Sequence, residues 1–396
     1  MNAIISVPSE RLVGCHLHKL TIIHYLDSMK TKICLLLLII TSFNVRAQFK
    51  HPGMLNNSAD FKFLKAKIRA GQEPWKSAWE TLQKSPEAQL SWQAKPVKKV
   101  VVGFYSKPDI GGTDFRKDGD AAYTSALQYV ITGDKAFAQK SIEIMNAWSY
   151  ELDSITGDNK KLLGGMVGIK FLNAAELIKY TYKGWEKKDQ LAFEKMVMEI
   201  WYPLLKDFMP GYNGNWDAAI AQTVMCVGVY MNRSDIFDLA YNQILKGKSN
   251  GAINNYFNDW GQCQESGRDQ GHAQMGLGFL AIVCEIAWKQ GRDLYAAYNS
   301  RLALGYEYTS KYMLGEEVKY VKYTTFQGKQ VFGDNISAVG RGNFSPIYER
   351  AYHHYHDRLK MEMPYTKKSL EKTRPEAYNS GYIPWATLLT AGFPVN

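Results

Sequence analysis

Apolar positions recur at three- and four-residue steps along most of the chain beyond residue 56, which is the period of an α-helix. Short breaks containing glycine separate these stretches. Only 318–332 alternates well enough to indicate a β-hairpin, with Gly328 and Lys329 near its turn, and 100–116 is expected to be a long loop. The pattern predicts helices over 57–70, 73–83, 118–132, 134–151, 167–182, 186–209, 216–231, 234–247, 265–288, 293–314 and 345–359.

The predicted helices differ in how apolar they are. Those over 167–182, 216–231 and 265–288 are richer in apolar residues than the others. Alternation of this kind, with short turns, is typical of paired antiparallel helices in which one layer is buried. We therefore predict an all-α fold, an α/α toroid or incomplete barrel with at most a small β-hairpin. No linker interrupts 48–396, which is expected to form one domain.

The first residues have the pattern of an export signal. A basic stretch at 29–32 precedes an apolar run at 33–40, and Val45, Arg46 and Ala47 suit a signal peptidase. We expect cleavage before Gln48, with 1–28 as an upstream extension. The apolar run is too short for a stable membrane anchor. The mature protein is therefore expected to be periplasmic or secreted, without a membrane span.

Charge and cysteine content narrow the choice of partners. The chain carries a net charge of +10, which in an exported protein favours a polyanionic partner, although a solvated lysine-rich surface explains it equally well. No basic run or nucleic-acid motif is present, so nucleic acid is not an expected partner. Cys226, Cys263 and Cys284 lie in or beside apolar patterns without metal-ligand spacing. No metal or cofactor is expected, and the oligomeric state stays open.

The most informative segment is 261–272, GQCQESGRDQGH, where a polar cluster leads into an apolar helix. On the helical period Glu265, Arg268 and His272 share a face with Met275 and Phe279, so the polar groups point where the core points. Burial of such groups is costly unless they are paired or face a cavity. Two interpretations stay open: a self-satisfied ion-pair network, or a polar pocket at a helix start that favours an anionic ligand.

Similar polar clusters stand at the start of other apolar helices. The inner helices of a toroid run in one direction, so their N-termini gather around one mouth. One polar cap is ordinary, but several rich clusters favour convergence on a single cleft. These clusters are Thr113–Arg116 with Asp118 and Asp120, 213–217, 264–272 and 340–343.

Three motifs carry a resemblance to a known family. NGNW at 213–216, ESGRDQGH at 265–272 and HPGML at 51–55 resemble the alginate lyase superfamily, exported bacterial polysaccharide lyases with an α/α toroid fold. The resemblance implies β-elimination in a uronic-acid polymer, alginate first and glucuronan next, without a cofactor. In that chemistry one group neutralises the carboxylate at C5, and His and Tyr usually share the proton transfer.

The family motifs place two roles on this sequence. Familiar members begin one inner helix with Asn-His and the next with an Arg followed seven residues later by a Tyr. The resemblance therefore implies that Asn215 and Arg268 neutralise the carboxylate. Trp216 replaces the His and Met275 replaces the Tyr, so the base and the acid must be other residues.

His272, one helical turn after Arg268, is the candidate for proton transfer, because histidine titrates near neutral pH. Tyr348 follows Arg341 at the same spacing of seven and is the candidate tyrosine, with Tyr105 as its rival. The residues expected to bind substrate are Tyr105, Arg116, Trp216, Gln264, Glu265 and Arg341.

Two other functions are compatible with the sequence. A toroid-fold glycoside hydrolase would use a carboxylate pair, Asp118 or Asp120 with Asp217 or Glu265. A non-catalytic exported glycan-binding protein would need only aromatic and hydrogen-bonding groups. The sequence leaves open which uronate is cleaved and whether attack is internal or from a chain end.

Overall fold

The computed structural model describes residues 49–323, 325–326 and 332–394. These residues include two π-helical turns, Val197–Trp201 and His353–Arg358. The α-helices are α1 (Ser58–Arg69), α2 (Trp75–Lys84), α3 (Gly112–Thr132), α4 (Lys135–Glu151), α5 (Lys160–Thr181), α6 (Lys187–Met196), α7 (Tyr202–Leu205), α8 (Gly214–Tyr230), α9 (Ser234–Lys246), α10 (Ile253–Tyr256), α11 (Gln270–Lys289), α12 (Ala297–Met313), α13 (Tyr348–Tyr352), α14 (Pro364–Thr373) and α15 (Ala386–Thr390).

Four helices, α3, α5, α8 and α11, form an inner layer in which each packs against the next along the chain. Close approach is possible because small residues lie between them: a Cβ on Gly165 of α5 would overlap the carbonyl of Ala219 in α8. The predicted inner helices are confirmed, and α3, which the pattern placed in the outer layer, joins them. Outer helices such as α4 and α9 return the chain, so the inner helices all begin at one end.

The C-terminal segment packs against 56–75, close to the start of the described chain, and so closes the ring of helices. The Asn56 side chain donates to the Leu389 carbonyl at 2.8 Å, and the Trp75 indole donates to the Ala391 carbonyl at 3.1 Å. No helix among the described residues has the length and apolar character that a membrane span requires.

A small sheet includes part of the segment that the sequence predicted to be a long loop, and its third strand lies between α4 and α5. Strand β1 (Lys99–Val102) pairs antiparallel with β2 (Asp109–Ile110) and parallel with β3 (Ser154–Thr156). Helix α3 begins directly after β2, so the sheet fixes where α3 starts. The expected loop over 100–116 was therefore wrong. The expected hairpin also fails within the described residues, since 318–323 form no strand; its turn at Gly328 and Lys329 lies outside them.

Candidate active site

The start of α11 organises the site. Gln264–Gly267 form a 3-10 turn, and Asp269 caps α11 in extended conformation, accepting from the His272 backbone N–H at 2.8 Å. The helix therefore begins at Gln270, whereas its periodicity predicted a start at Glu265. The break turns Glu265 inward, while Arg268, Asp269 and His272 stay at the rim.

His272 and Asp269 form a hydrogen-bonded pair. His272 Nδ1 lies 2.6 Å from Asp269 Oδ2, and the two side chains are 29% and 21% exposed. Burial raises the pKa of Asp269, but the hydrogen bonds from His272 and the charge of Arg268 outweigh it and leave the pKa below its ordinary value. An ionised Asp269 favours the tautomer with hydrogen on Nδ1. Nε2 is then the ring atom that accepts a proton.

Arg268 lies between two carboxylates. Its Nη1 donates to Glu265 Oε1 at 3.0 Å, and its Nε is 3.7 Å from Asp269 Oδ2. Tyr256 donates to the other oxygen of Glu265 at 2.8 Å. Burial raises the pKa of Glu265, against the opposing charges of His272 and Arg268. Glu265 is 0% exposed. It therefore anchors Arg268 and does not reach substrate, contrary to its predicted binding role.

Asn215 on α8 meets Met275 on α11, the residue that stands where the family has its tyrosine. Asn215 Nδ2 lies 3.5 Å from the sulfur of Met275, and Gln264 accepts from the Gly214 N–H at 2.8 Å. Asn215 Oδ1 and Gln264 Nε2 are buried without a partner among the described residues. Asn215 and Gln264 are both 0% exposed, so neither side chain reaches the mouth, contrary to the predicted neutralising role of Asn215 and binding role of Gln264.

Trp216, predicted to bind sugar, is only 6% exposed. Its ring lies 4.8 Å from that of Tyr212 at an angle of 49°. Trp216 therefore packs beneath Tyr212, which is the more accessible of the two rings.

Two of the predicted residues are occupied elsewhere. Tyr348 is 1% exposed, its hydroxyl donates to Gln274 at 2.9 Å, and burial raises its pKa far above the ordinary value. The Arg341 guanidinium lies 4.0 Å over the Tyr312 ring and also contacts Glu317. Tyr348 has the spacing from an arginine that the family shows, but it lies in the core, which argues against its predicted catalytic role. Arg341 is a structural residue and not a binding residue.

The other two predicted binding residues are Tyr105, in the β1–β2 turn, and Arg116, which contacts that turn from α3. Tyr105 is 85% exposed. Arg116, at the start of α3, is 3.4 Å from the Ser106 hydroxyl and 3.8 Å from Asp109. Tyr105 is thus accessible, while Arg116 is mostly engaged with its own turn.

The aspartates that a hydrolase would need are buried and engaged with neighbouring groups. Asp118 accepts from the indoles of Trp92 at 2.9 Å and Trp148 at 2.7 Å. Asp120 forms a buried ion pair with Lys170, and Asp217 accepts from a backbone N–H. These three side chains are at most 1% exposed, so none can flank a glycosidic bond.

A cleft of about 790 Å³ opens beside Asp269 and Gly271. Its other walls are 339–340 with 342–346, and 372–379. The first of these walls is tied to the start of α11, because Gln270 N–H donates to the Val339 carbonyl at 2.8 Å. Of the polar clusters that were predicted to meet at one mouth, 264–272 and 340–343 therefore lie together. Asp269 was not among the predicted site residues, although an Asp three residues before His272 is a readable N-cap signal.

Residues 107–319 match the family model described as alginate lyase. The chain belongs to the alginate lyase family. The family resemblance inferred from the motifs is confirmed, and the protein is a polysaccharide lyase.

Solved alginate lyases share the fold. An enzyme from Bacteroides ovatus aligns with a TM-score of 0.58 and 13% identity over 86% of this chain and 99% of its own. Alginate lyase A1-III from Sphingomonas species A1 gives 0.59 and 13% over the same shares. Its His→Ala variant with a tetrasaccharide gives 0.61 and 15%, over 87% and 97%. Proteins of curated function give no significant match. The predicted all-α toroid is confirmed for this family member, with a three-stranded sheet in place of a hairpin.

Proposed function

We propose that this alginate lyase family member cleaves a uronic-acid polymer by β-elimination, with Arg268 neutralising the carboxylate and His272 moving the proton. The observation that carries the proposal is that Asp269 joins both residues at the mouth, 2.6 Å from His272 and 3.7 Å from Arg268. A cation held beside an oriented imidazole is the pair that proton abstraction next to a carboxylate requires.

The reaction balances with these groups. Arg268 withdraws charge from the C5 carboxylate, which acidifies the C5 proton. His272 Nε2 takes that proton, the electron pair forms the C4–C5 double bond, and the bond from C4 to the glycosidic oxygen breaks. The leaving oxygen takes a proton, which the imidazolium of His272 returns if both events occur on one face of the sugar.

Alginate is the first substrate to test and glucuronan the second. Two variants of the Sphingomonas enzyme, His→Ala and Tyr→Phe, hold a tetrasaccharide, which supports an oligosaccharide at the mouth here. The net charge of about +7 that residues 48–396 carry also suits a polyanion. Export through the leader at 29–47 belongs to the proposal, since such polymers lie outside the cytoplasm.

The test is an assay of purified 48–396 with alginate, glucuronan and related polymers. We expect the ultraviolet absorbance of an unsaturated uronate to rise without added metal. New reducing ends without that absorbance would support hydrolysis, and tight binding of polymer that keeps its length would support a glycan-binding protein. Either result would contradict the proposal.

The pair of Asp269 and His272 makes a separate prediction. Asp269→Asn keeps a side chain that caps α11 well, but its amide no longer demands hydrogen on Nδ1 of His272. We expect kcat to fall roughly ten- to a hundredfold, with the melting temperature nearly unchanged. Steady-state kinetics and a thermal melt measure both. A variant with wild-type kcat would show that Asp269 only caps the helix.

A further inference from the structure

The cleft beside Asp269 has two walls that the family match does not cover. We call it the C-terminal cleft; it is lined by Asp269, Gly271, 339–340, 342–346 and 372–379. Only Asp269 and Gly271 fall within the matched residues 107–319. Its volume of about 790 Å³ lies in the range of small-ligand sites. The cleft begins at Asp269, the residue that orients His272, although Arg268 and His272 do not themselves line it.

Most of the charges in the C-terminal cleft are already neutralised. The Arg374 guanidinium donates to both oxygens of Glu349, at 2.6 and 2.8 Å. Asp269 faces His272. The buried Glu376 accepts from the Thr387 N–H at 2.7 Å. None of these groups offers a free charge to a ligand.

Lys372 is the exception. It is exposed, and no carboxylate of the described residues pairs with its ammonium, which lies 5.9 Å from the centre of the Phe344 ring across the cleft. An unpaired ammonium beside an aromatic ring suits an anionic sugar, because the ring packs on the pyranose face while the ammonium attracts the carboxylate.

The far wall is held rigidly to the inner helices. Tyr378 donates to Asp120 at 2.8 Å, and Asp120 is paired with Lys170 at the same distance. Lys170 also donates to the Ser380 carbonyl at 2.8 Å. Burial raises the pKa of Asp120 to about 6, and Lys170 and Tyr378 oppose that rise. Because this segment is fixed to α3 and α5, the cleft is preformed and costs little ordering on binding.

We propose that the C-terminal cleft binds a further uronate residue of the same polymer, with Lys372 facing its carboxylate. This inference rests on the proposed function, since it assigns the cleft to sugars away from the bond that is broken. It makes Lys372 a binding residue that contributes equally before and during the reaction, and therefore acts on KM and not on kcat.

The experiment compares Lys372→Gln and Lys372→Glu with Lys368→Gln on full-length substrate. Lys368 lies on the same helix, α14, and contacts Tyr365 outside the cleft. We expect KM to rise roughly two- to fivefold for Lys372→Gln and more for Lys372→Glu, with kcat within about twofold. Lys368→Gln should behave as wild type. The wild-type KM should also depend on salt more steeply than that of Lys372→Gln.

The two proposals fail in different ways. If the wild type releases unsaturated product and Lys372→Glu keeps its KM and product lengths, the cleft assignment is overturned while the lyase proposal stands. If the wild type releases none, the lyase proposal fails, and calorimetry with polyuronate tests the cleft alone. Equal affinity of the wild type and Lys372→Glu would then overturn the cleft assignment, whereas weaker binding by Lys372→Glu would support it.

Discussion

Arg268→Ala is expected to lower kcat/KM by roughly two to three powers of ten, or about 3–4 kcal/mol of transition-state stabilisation. The reason is that negative charge develops on the carboxylate group as the C5 proton leaves, and Arg268 is the cation that the α11 start holds at the mouth. Its Nη1 contact with Glu265 fixes the guanidinium in advance, so no reorganisation is needed during reaction. Steady-state kinetics on the best polymer measure the loss.

Stability must be separated from chemistry in this variant. Removing Arg268 leaves Glu265 buried, and an unpaired buried charge costs several kcal/mol unless it is protonated. The double change Arg268→Ala with Glu265→Gln removes that charge and isolates the catalytic loss. Arg233→Ala is the matched control, because Arg233 pairs with Asp235 on the exposed start of α9. If activity falls only in proportion to the fraction of unfolded protein, Arg268 is a partner in a structural ion pair and has no catalytic role.

Much of the fold could be predicted because the inner helices have a strong pattern. Every residue of α8 is buried, and its apolar content alone placed it in the inner layer. The antiparallel pairing followed from short turns, and with it the gathering of the N-termini at one mouth. The sheet was missed because β2 and β3 have only two and three residues, too few for an alternation to be read.

The site was only partly predictable, because spacing along the sequence does not fix the direction in which a side chain points. Periodicity ran the helix through Glu265 and Arg268, since both fit its face, while the Asp269 cap ends that continuity. The interval from Arg341 to Tyr348 matched the family but leads into the core. Asp118 was an open candidate until Trp92 and Trp148, distant in sequence, were found to saturate it.

His272→Ala is expected to lower kcat by roughly two to four powers of ten, the usual effect of losing a positioned acid or base. KM should change less than in Arg268→Ala, because only the arginine contacts substrate charge before reaction. Added imidazole should restore part of the activity. Pre-steady-state and steady-state kinetics with and without imidazole measure these effects.

The control for this change is His356→Ala. His356 is also half-exposed and contacts an aspartate, Asp357, at 2.9 Å, but it lies on the π-helical turn after α13, away from the mouth. The His356→Ala variant should keep wild-type activity. Any loss of stability that it shows measures the general effect of removing a histidine–aspartate pair. A His272→Ala variant that folds and turns over near normally would remove His272 from the mechanism. Because Tyr348 is buried, the proton transfer would then have to be sought at an accessible tyrosine such as Tyr105.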